Sequence, residues 1–364
     1  MPEQLGEAPA QTRTDAGADL LPAEERYPVE FTASAGEYFR IWIVNLGLTI
    51  VTLGIYSAWA KVRKRRYLYS HTLIGGEGFE YRAKPLPILK GRLIALGILI
   101  AVFAAGNFVP AFAAQPALGQ LAFVVVAAIA GPWLVVQSLK FNAYNTAYRN
   151  IRLRFGATYG ACLKIVARYW WVLLLPIAYP YLKRRLVQFA AENHFYGATQ
   201  FRVLDFKKSF IHAYAVAYGL FLLSFVGLVG FGMWSAMSGK VAAGKDVTGL
   251  FTLGFYFVAL LIFAYIRART FNAVWNNIWI GTVHFASTLR ARDMIWLYMS
   301  NLAAIVLTLG LATPWAVVRT HRYRASKTTV IASGPLDSFV QAETQQVSAT
   351  GQEVGEMFDI DIAL

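Results

Sequence analysis

Cysteine is almost missing from the sequence, with Cys162 alone among 364 residues. An intramolecular disulfide is therefore impossible, and no cluster of thiolates can hold a metal. Histidine is thin as well: His71, His194, His212, His284 and His321 are scattered along the chain. Hydrogen-bonded or headgroup-contacting roles suit such histidines better than a metal site. Charged residues make up only 15%. No acidic residue falls inside a long apolar run, so the intramembrane carboxylate of many proton-coupled carriers is missing. Neither a Gly-x-Ser-x-Gly elbow nor a His-Glu-x-x-His pair occurs. Gly239-Lys-Val-Ala-Ala-Gly244-Lys245-Asp246 matches a phosphate loop until Asp246 stands where a magnesium-binding hydroxyl belongs, and no strand precedes it. The first 27 residues lack the basic start and apolar core of a signal peptide. They are rich in Ala, Pro, Gln and Glu and are expected to form a disordered tail. These absences argue against an enzyme, against a bound cofactor and against a nucleic-acid partner.

Apolar residues are abundant, at 57% of the chain. Four runs, 93–113, 118–139, 211–236 and 249–266, are long enough to span a hydrocarbon core about 30 Å thick. The two pairs end alike, in Lys140-Phe-Asn-Ala143 and Thr270-Phe-Asn-Ala273. The net charge of +14 sits in the loops, as cytoplasmic Lys and Arg do in membrane proteins. Only the loops 113–117 and 238–247 are poor in basic residues, which makes them the external ones and puts both termini in the cytoplasm.

One stretch is written twice. Residues 45–67, NLGLTIVTLGIYSAWAKVRKRRY, align without a gap on residues 301–323, NLAAIVLTLGLATPWAVVRTHRY. Asn45/Asn301, Thr52/Thr308, Leu53/Leu309, Gly54/Gly310, Trp59/Trp315, Arg63/Arg319, Arg66/Arg322 and Tyr67/Tyr323 are identical pairs. A weaker third copy matches Ile177, Lys183, Arg185, Gly197 and Phe201 to Ile55, Lys61, Arg63, Gly75 and Phe79. Short alternating phrases precede each copy, and strand-like pieces at 71–81, 195–203 and 328–334 follow.

The expected fold is an α-helical integral membrane protein with three internal repeats of strand, apolar segment and hairpin. The first two repeats are followed by a transmembrane helix pair, and small β elements lie on the cytoplasmic face. The expected divisions are a tail (1–27), unit one (28–150), unit two (151–280), a truncated unit three (281–334) and an acidic tail (335–364). Segments 41–60, 169–182 and 294–318 have basic flanks on both sides. They either dip into the membrane and return, or cross it against the charge rule.

Asn45 and Asn301 are candidate ligand contacts, or packing residues that join the repeats. Arg63, Arg66, Arg319 and Arg322 are candidate contacts for anionic lipid headgroups, or orientation signals. The acidic tail, with Glu343 and Asp337, either docks on the basic face over an entrance or stays free. Its last part, Phe358-Asp-Ile-Asp-Ile, alternates like a strand.

The motif NLGLTIVTLGIYSAWAKVRKRRYLY, the stretch GFEYRAKPLPILKGR and the ending Phe358-Asp-Ile-Asp-Ile-Ala-Leu364 resemble the YjgN family of bacterial inner-membrane proteins. The likeness covers nearly all of the chain after residue 27. It implies the bacterial inner membrane and supplies no activity, substrate or site. Internal repeats and interrupted apolar segments favour a transporter-like or channel-like protein. The alternative is a lipid-binding or structural membrane protein with a basic cytoplasmic face.

Overall fold

The computed structural model describes residues 24–109, 115–238 and 245–358. Ten short strands in it close a barrel. They are β1 (Glu24–Phe31), β2 (Thr72–Ile74), β3 (Glu77–Tyr81), β4 (Thr146–Tyr148), β5 (Ile151–Phe155), β6 (His194–Tyr196), β7 (Thr199–Val203), β8 (Ile278–Ile280), β9 (Val283–Ser287) and β10 (Thr328–Ser333). Every strand pairs antiparallel with its sequence neighbours, and β1 closes the ring on β10 through Glu24↔Ser333 to Pro28↔Thr329. Alternation sets the faces: in β5, Ile151 and Phe155 are buried while Arg152 and Arg154 point out. Tight turns join the hairpins at one end of the barrel. Gly75 and Gly76, at φ 57° and 80°, make one of them, and Arg149 and Asn150, at 46° and 68°, make another. Two successive positive φ angles give the turn whose twist matches paired strands.

At the other end the chain leaves the barrel in helical pairs. They are α1 (Ala35–Val51) with α2 (Ser57–Ser70), α3 (Pro85–Phe108) with α4 (Pro116–Tyr144), α5 (Tyr159–Arg168) with α6 (Tyr179–Glu192), α7 (Lys207–Met237) with α8 (Lys245–Trp275), and α9 (Ala291–Leu307) with α10 (Thr313–Ser326). A last helix, α11 (Leu336–Phe358), follows β10. Each pair starts and finishes at the same rim. One backbone hydrogen bond closes the base of every pair: Thr32 N to His71 O, Arg82 N to Asn145 O, Gly156 N to Asn193 O, Leu204 N to Asn277 O and Thr288 N to Lys327 O, all between 2.8 and 3.0 Å.

This architecture corrects the expectation of an α-helical fold with three repeats of strand, apolar segment and hairpin. The β elements are not small additions; they close one barrel from Glu24 to Ser333. The recurring unit is a strand, a helical pair and a strand, and it occurs five times among the described residues. The three-unit reading joined a short pair and a long pair into one repeat, because only the short pairs share the sequence motif. The long pairs carry the four helices that are long and apolar enough to cross a membrane: Pro85–Gly106, Ala117–Tyr144, Lys207–Ser235 and Thr252–Trp275. Most of the loops expected outside, 110–114 and 239–244, lie outside the described residues, as do residues 1–23 and 359–364.

The duplicated motif is the apex of a helical pair. Leu53 and Leu309 take left-handed φ values of 49° and 50°, followed by Gly54 at 90° and Gly310 at 95°. Thr52 Oγ1 donates to Leu48 O at 2.7 Å and accepts from Tyr56 N at 2.9 Å. Thr308 repeats both bonds with Ala304 O and Ala312 N at 2.7 and 2.9 Å. The chain therefore turns at 52–56 and 308–312 and comes back. In the third short pair, 3-10 turns at Trp170–Leu173 and Pro176–Ala178 do the same work. So segments 41–60, 169–182 and 294–318 fold as returning pairs.

Candidate functional site

The barrel lumen is the first place that could receive a ligand. A cavity of about 420 Å³ runs inside the strands, within the size range of small-molecule sites. Its wall is apolar and aromatic because inward positions of alternating strands converge there. Phe79, Tyr148 and Tyr196 form a ladder with centroids 5.0 and 6.3 Å apart, and Phe339 stacks on Tyr196 at 6.0 Å. The tyrosine hydroxyls bond within the wall, Tyr148 to Ile74 O at 2.6 Å and Tyr196 to Tyr148 O at 3.3 Å. Burial pushes both phenols above their ordinary range, so they stay neutral donors.

Helix α11 closes the turn end of the lumen. Leu336, Phe339 and Val340 point into the cavity, while acidic residues hold the helix to the hairpin turns. Asp337 accepts from Arg149 in the β4–β5 turn. Glu343 is 3% exposed and accepts from Ala198 N at 3.0 Å and from the Thr199 hydroxyl in the β6–β7 turn. Gly197 leaves room for this carboxylate: a Cβ there would lie 2.6 Å from Glu343 Oε2. The tail thus docks, as a helix over the barrel end that runs to Phe358, and the rest of the alternating phrase at 358–362 lies outside the described residues.

The helix end of the lumen is where polar groups collect: His321, Arg324 and Thr328 on α10 and β10. His321 stacks on Phe31 at 5.4 Å. Burial, then the Arg324 and Lys64 charges, lower its pKa from 6.5 to about 4, so it is neutral at physiological pH. Arg324 donates to the Tyr298 hydroxyl at 2.8 Å and lies over Phe271 at 5.9 Å. Its Nε is buried with no hydrogen-bond partner.

The second place is an outward groove of about 650 Å³ between α9 and α10, lined by Arg292, Asp293, Trp296, Arg319, Arg322 and Tyr323. Arg319 is aimed by its neighbours: it donates to Ser300 Oγ at 2.6 Å and Asn301 Oδ1 at 3.1 Å, and it covers Trp315 at 5.0 Å. Arg322 donates to Ala33 O at 2.9 Å. Asn301 is buried and donates to Thr320 Oγ1 at 3.1 Å, so it fastens its own helical pair. The structure brings Asn301, Arg319 and Arg322 together. It does not add their counterparts to the groove: Asn45 is buried on α1 with an unpartnered Oδ1, and Arg63 and Arg66 are exposed on α2. Neither asparagine lines the lumen.

Sequence reading missed the lumen and Arg324. Arg324 directly follows the duplicated stretch, where its counterpart is Leu68, and that difference was the one available signal.

A family model described as "Bacterial protein of unknown function (DUF898)" matches residues 26–357. Among curated proteins, "Inner membrane protein YjgN" of Salmonella typhimurium is 24% identical, over 85% of this chain and 89% of the relative. The protein of the same description from Escherichia coli O157:H7 is 22% identical, over 84% of this chain and 88% of the relative. No solved structure is significantly similar.

Proposed function

Because the chain belongs to the family of bacterial proteins described as DUF898, with relatives named as inner-membrane proteins, we propose that it is a lipid-binding protein of the bacterial inner membrane. The barrel stands on the cytoplasmic surface, four long helices cross the bilayer, and three short pairs dip into it. The apices of the short pairs carry this reading. Leu53 and Leu309 are each 95% exposed, and Ile50, Val51, Val306 and Leu307 around them are exposed too. Apolar side chains presented this way favour burial among acyl chains. Arg63, Arg66, Arg319 and Arg322 lie toward the barrel from these apices, at the depth of phospholipid headgroups. Exposed Trp296 beside Arg319 fits an interfacial anchor next to a headgroup contact.

Each Lys or Arg near an anionic surface contributes about 1 kcal/mol. Replacing Arg63, Arg66, Arg319 and Arg322 by Gln should therefore lower the anionic phospholipid that co-purifies with the protein, read by mass spectrometry, and lower its melting temperature. Unchanged lipid content would refute headgroup binding by these residues.

A carrier reading keeps one supporting observation, the lumen itself. Its apolar wall suits an apolar cargo and opposes a hydrophilic one, which needs polar partners along its path. Flux of a labelled lipid or solute in proteoliposomes separates a carrier from a static binder.

A further inference from the structure

We propose that the barrel lumen is a binding site for one single-chain anionic amphiphile of the fatty-acid class, with its carboxylate at Arg324 and its hydrocarbon chain running toward α11. This goes beyond the headgroup contacts above, since it concerns the inside of the barrel and different residues.

The wall from Phe79 and Tyr196 to Phe285 and Phe339 offers aromatic and aliphatic contacts with no free polar group, because its tyrosine hydroxyls bond to backbone carbonyls. Such a wall selects hydrocarbon. Arg324 breaks the pattern. A guanidinium is a permanent cation with donors in a fixed fork. Among the described residues Arg324 makes no ion pair with Asp or Glu; it has only the Tyr298 hydroxyl and the face of Phe271. Its Nε is buried and unpartnered. A half-buried cation without a counter-ion keeps only part of its hydration, and a carboxylate arriving with the ligand compensates it through charge-assisted hydrogen bonds. Neutral His321 stands beside it as a further donor for the same head, while the Thr328 hydroxyl donates to Arg324 O at 2.9 Å.

The placement also suits the source of such a ligand. Arg324 lies at the helix end of the lumen, which faces the bilayer in the reading above, and Phe339 and Val340 close the far end. A chain drawn from the membrane surface enters tail first and leaves its carboxylate at the mouth. The cavity of about 420 Å³ holds one such chain and is too small for a whole two-chain phospholipid.

The test is displacement of a fluorescent fatty acid from the full-length protein in nanodiscs of zwitterionic lipid, by oleate and by oleyl alcohol. A charge-assisted contact predicts that oleate competes about tenfold or more better than the alcohol. Arg324→Gln should abolish that preference, and Ile280→Trp, which fills the lumen, should abolish binding of both. Should Arg324→Gln fail to fold, the acid-to-alcohol ratio on the unaltered protein still decides. Equal competition by acid and alcohol, or oleate binding untouched by a folded Ile280→Trp protein, overturns the proposal. Retention of anionic phospholipid by a protein that binds no oleate would leave the headgroup reading standing and remove this one.

Discussion

Asn272 sits where the long helix α8 meets the start of α9, and its side chain makes three hydrogen bonds. It donates to Leu289 O at 2.8 Å and accepts from Leu289 N at 3.0 Å and Ser287 Oγ at 2.8 Å. Leaving those groups unpaired should cost about 2–4 kcal/mol, so Asn272→Ala should melt clearly earlier than a surface Asn→Ala control. An equal melting temperature would mean that the backbone holds this corner by itself. His321 gives a pH signature. Its folded pKa of about 4 lies below the unfolded 6.5, so the unfolded chain binds the extra proton first. The contribution of neutral His321 is complete above the unfolded value and is lost as pH falls from about 6.5 toward 4. It amounts to at most about 3 kcal/mol. His194 is depressed in the same direction, by burial. At His321 the neighbouring Arg324 and Lys64 charges add to the effect of burial. Melting curves of the unaltered protein and His321→Gln should converge as the pH is lowered through this window; parallel curves would contradict the assignment. At this scale the asparagines were visible in the sequence as the repeated Phe-Asn-Ala. The partners of Asn272 were not, because Leu289 and Ser287 belong to the next unit.

Among the elements, α11 is held by two acidic anchors over an apolar face. Removing the buried one by Glu343→Ala takes away the acceptor for Ala198 N and Thr199. Amide exchange across 336–348 should then speed up, while the strands away from the β6–β7 turn keep their protection. Unchanged exchange would show that Leu336, Phe339 and Val340 suffice. In the sequence the acidic tail could equally be read as docking or as free, and its helix was not legible, since docking buries only a few side chains on one face. The Thr-Leu-Gly apices were legible as a repeat before their shape was known. Strands β4 and β8, three residues each, gave no alternation to read. Their identity comes from pairing with β3, β5, β7 and β9, which is a tertiary property.

For the whole molecule, the barrel explains why five units look like three. A strand needs only alternation and a tight turn, so its sequence is free to drift. Helix length divides the pairs: α3, α4, α7 and α8 are long and apolar enough to cross a membrane, and the helices of the other pairs are shorter. The two lengths disguise one repeated plan, and closure by β1 on β10 joins residues 24 and 333, a contact no local pattern announces. Closure also puts Glu24 and Leu336 at the same end of the barrel.

Accessibility of single cysteines tests that arrangement most directly, with buried Cys162 replaced by Ala. Arg40→Cys, in α1, and Ser70→Cys, at the end of α2, mark the two arms of the first short pair, and Thr282→Cys and Ser333→Cys mark the turn end of the barrel. With a membrane-impermeant maleimide, all four should label in inside-out vesicles and none in intact spheroplasts. Labelling of either residue 40 or residue 70 from the periplasmic side, with the other labelled from the cytoplasm, would mean that the segment crosses the membrane and that the barrel does not close.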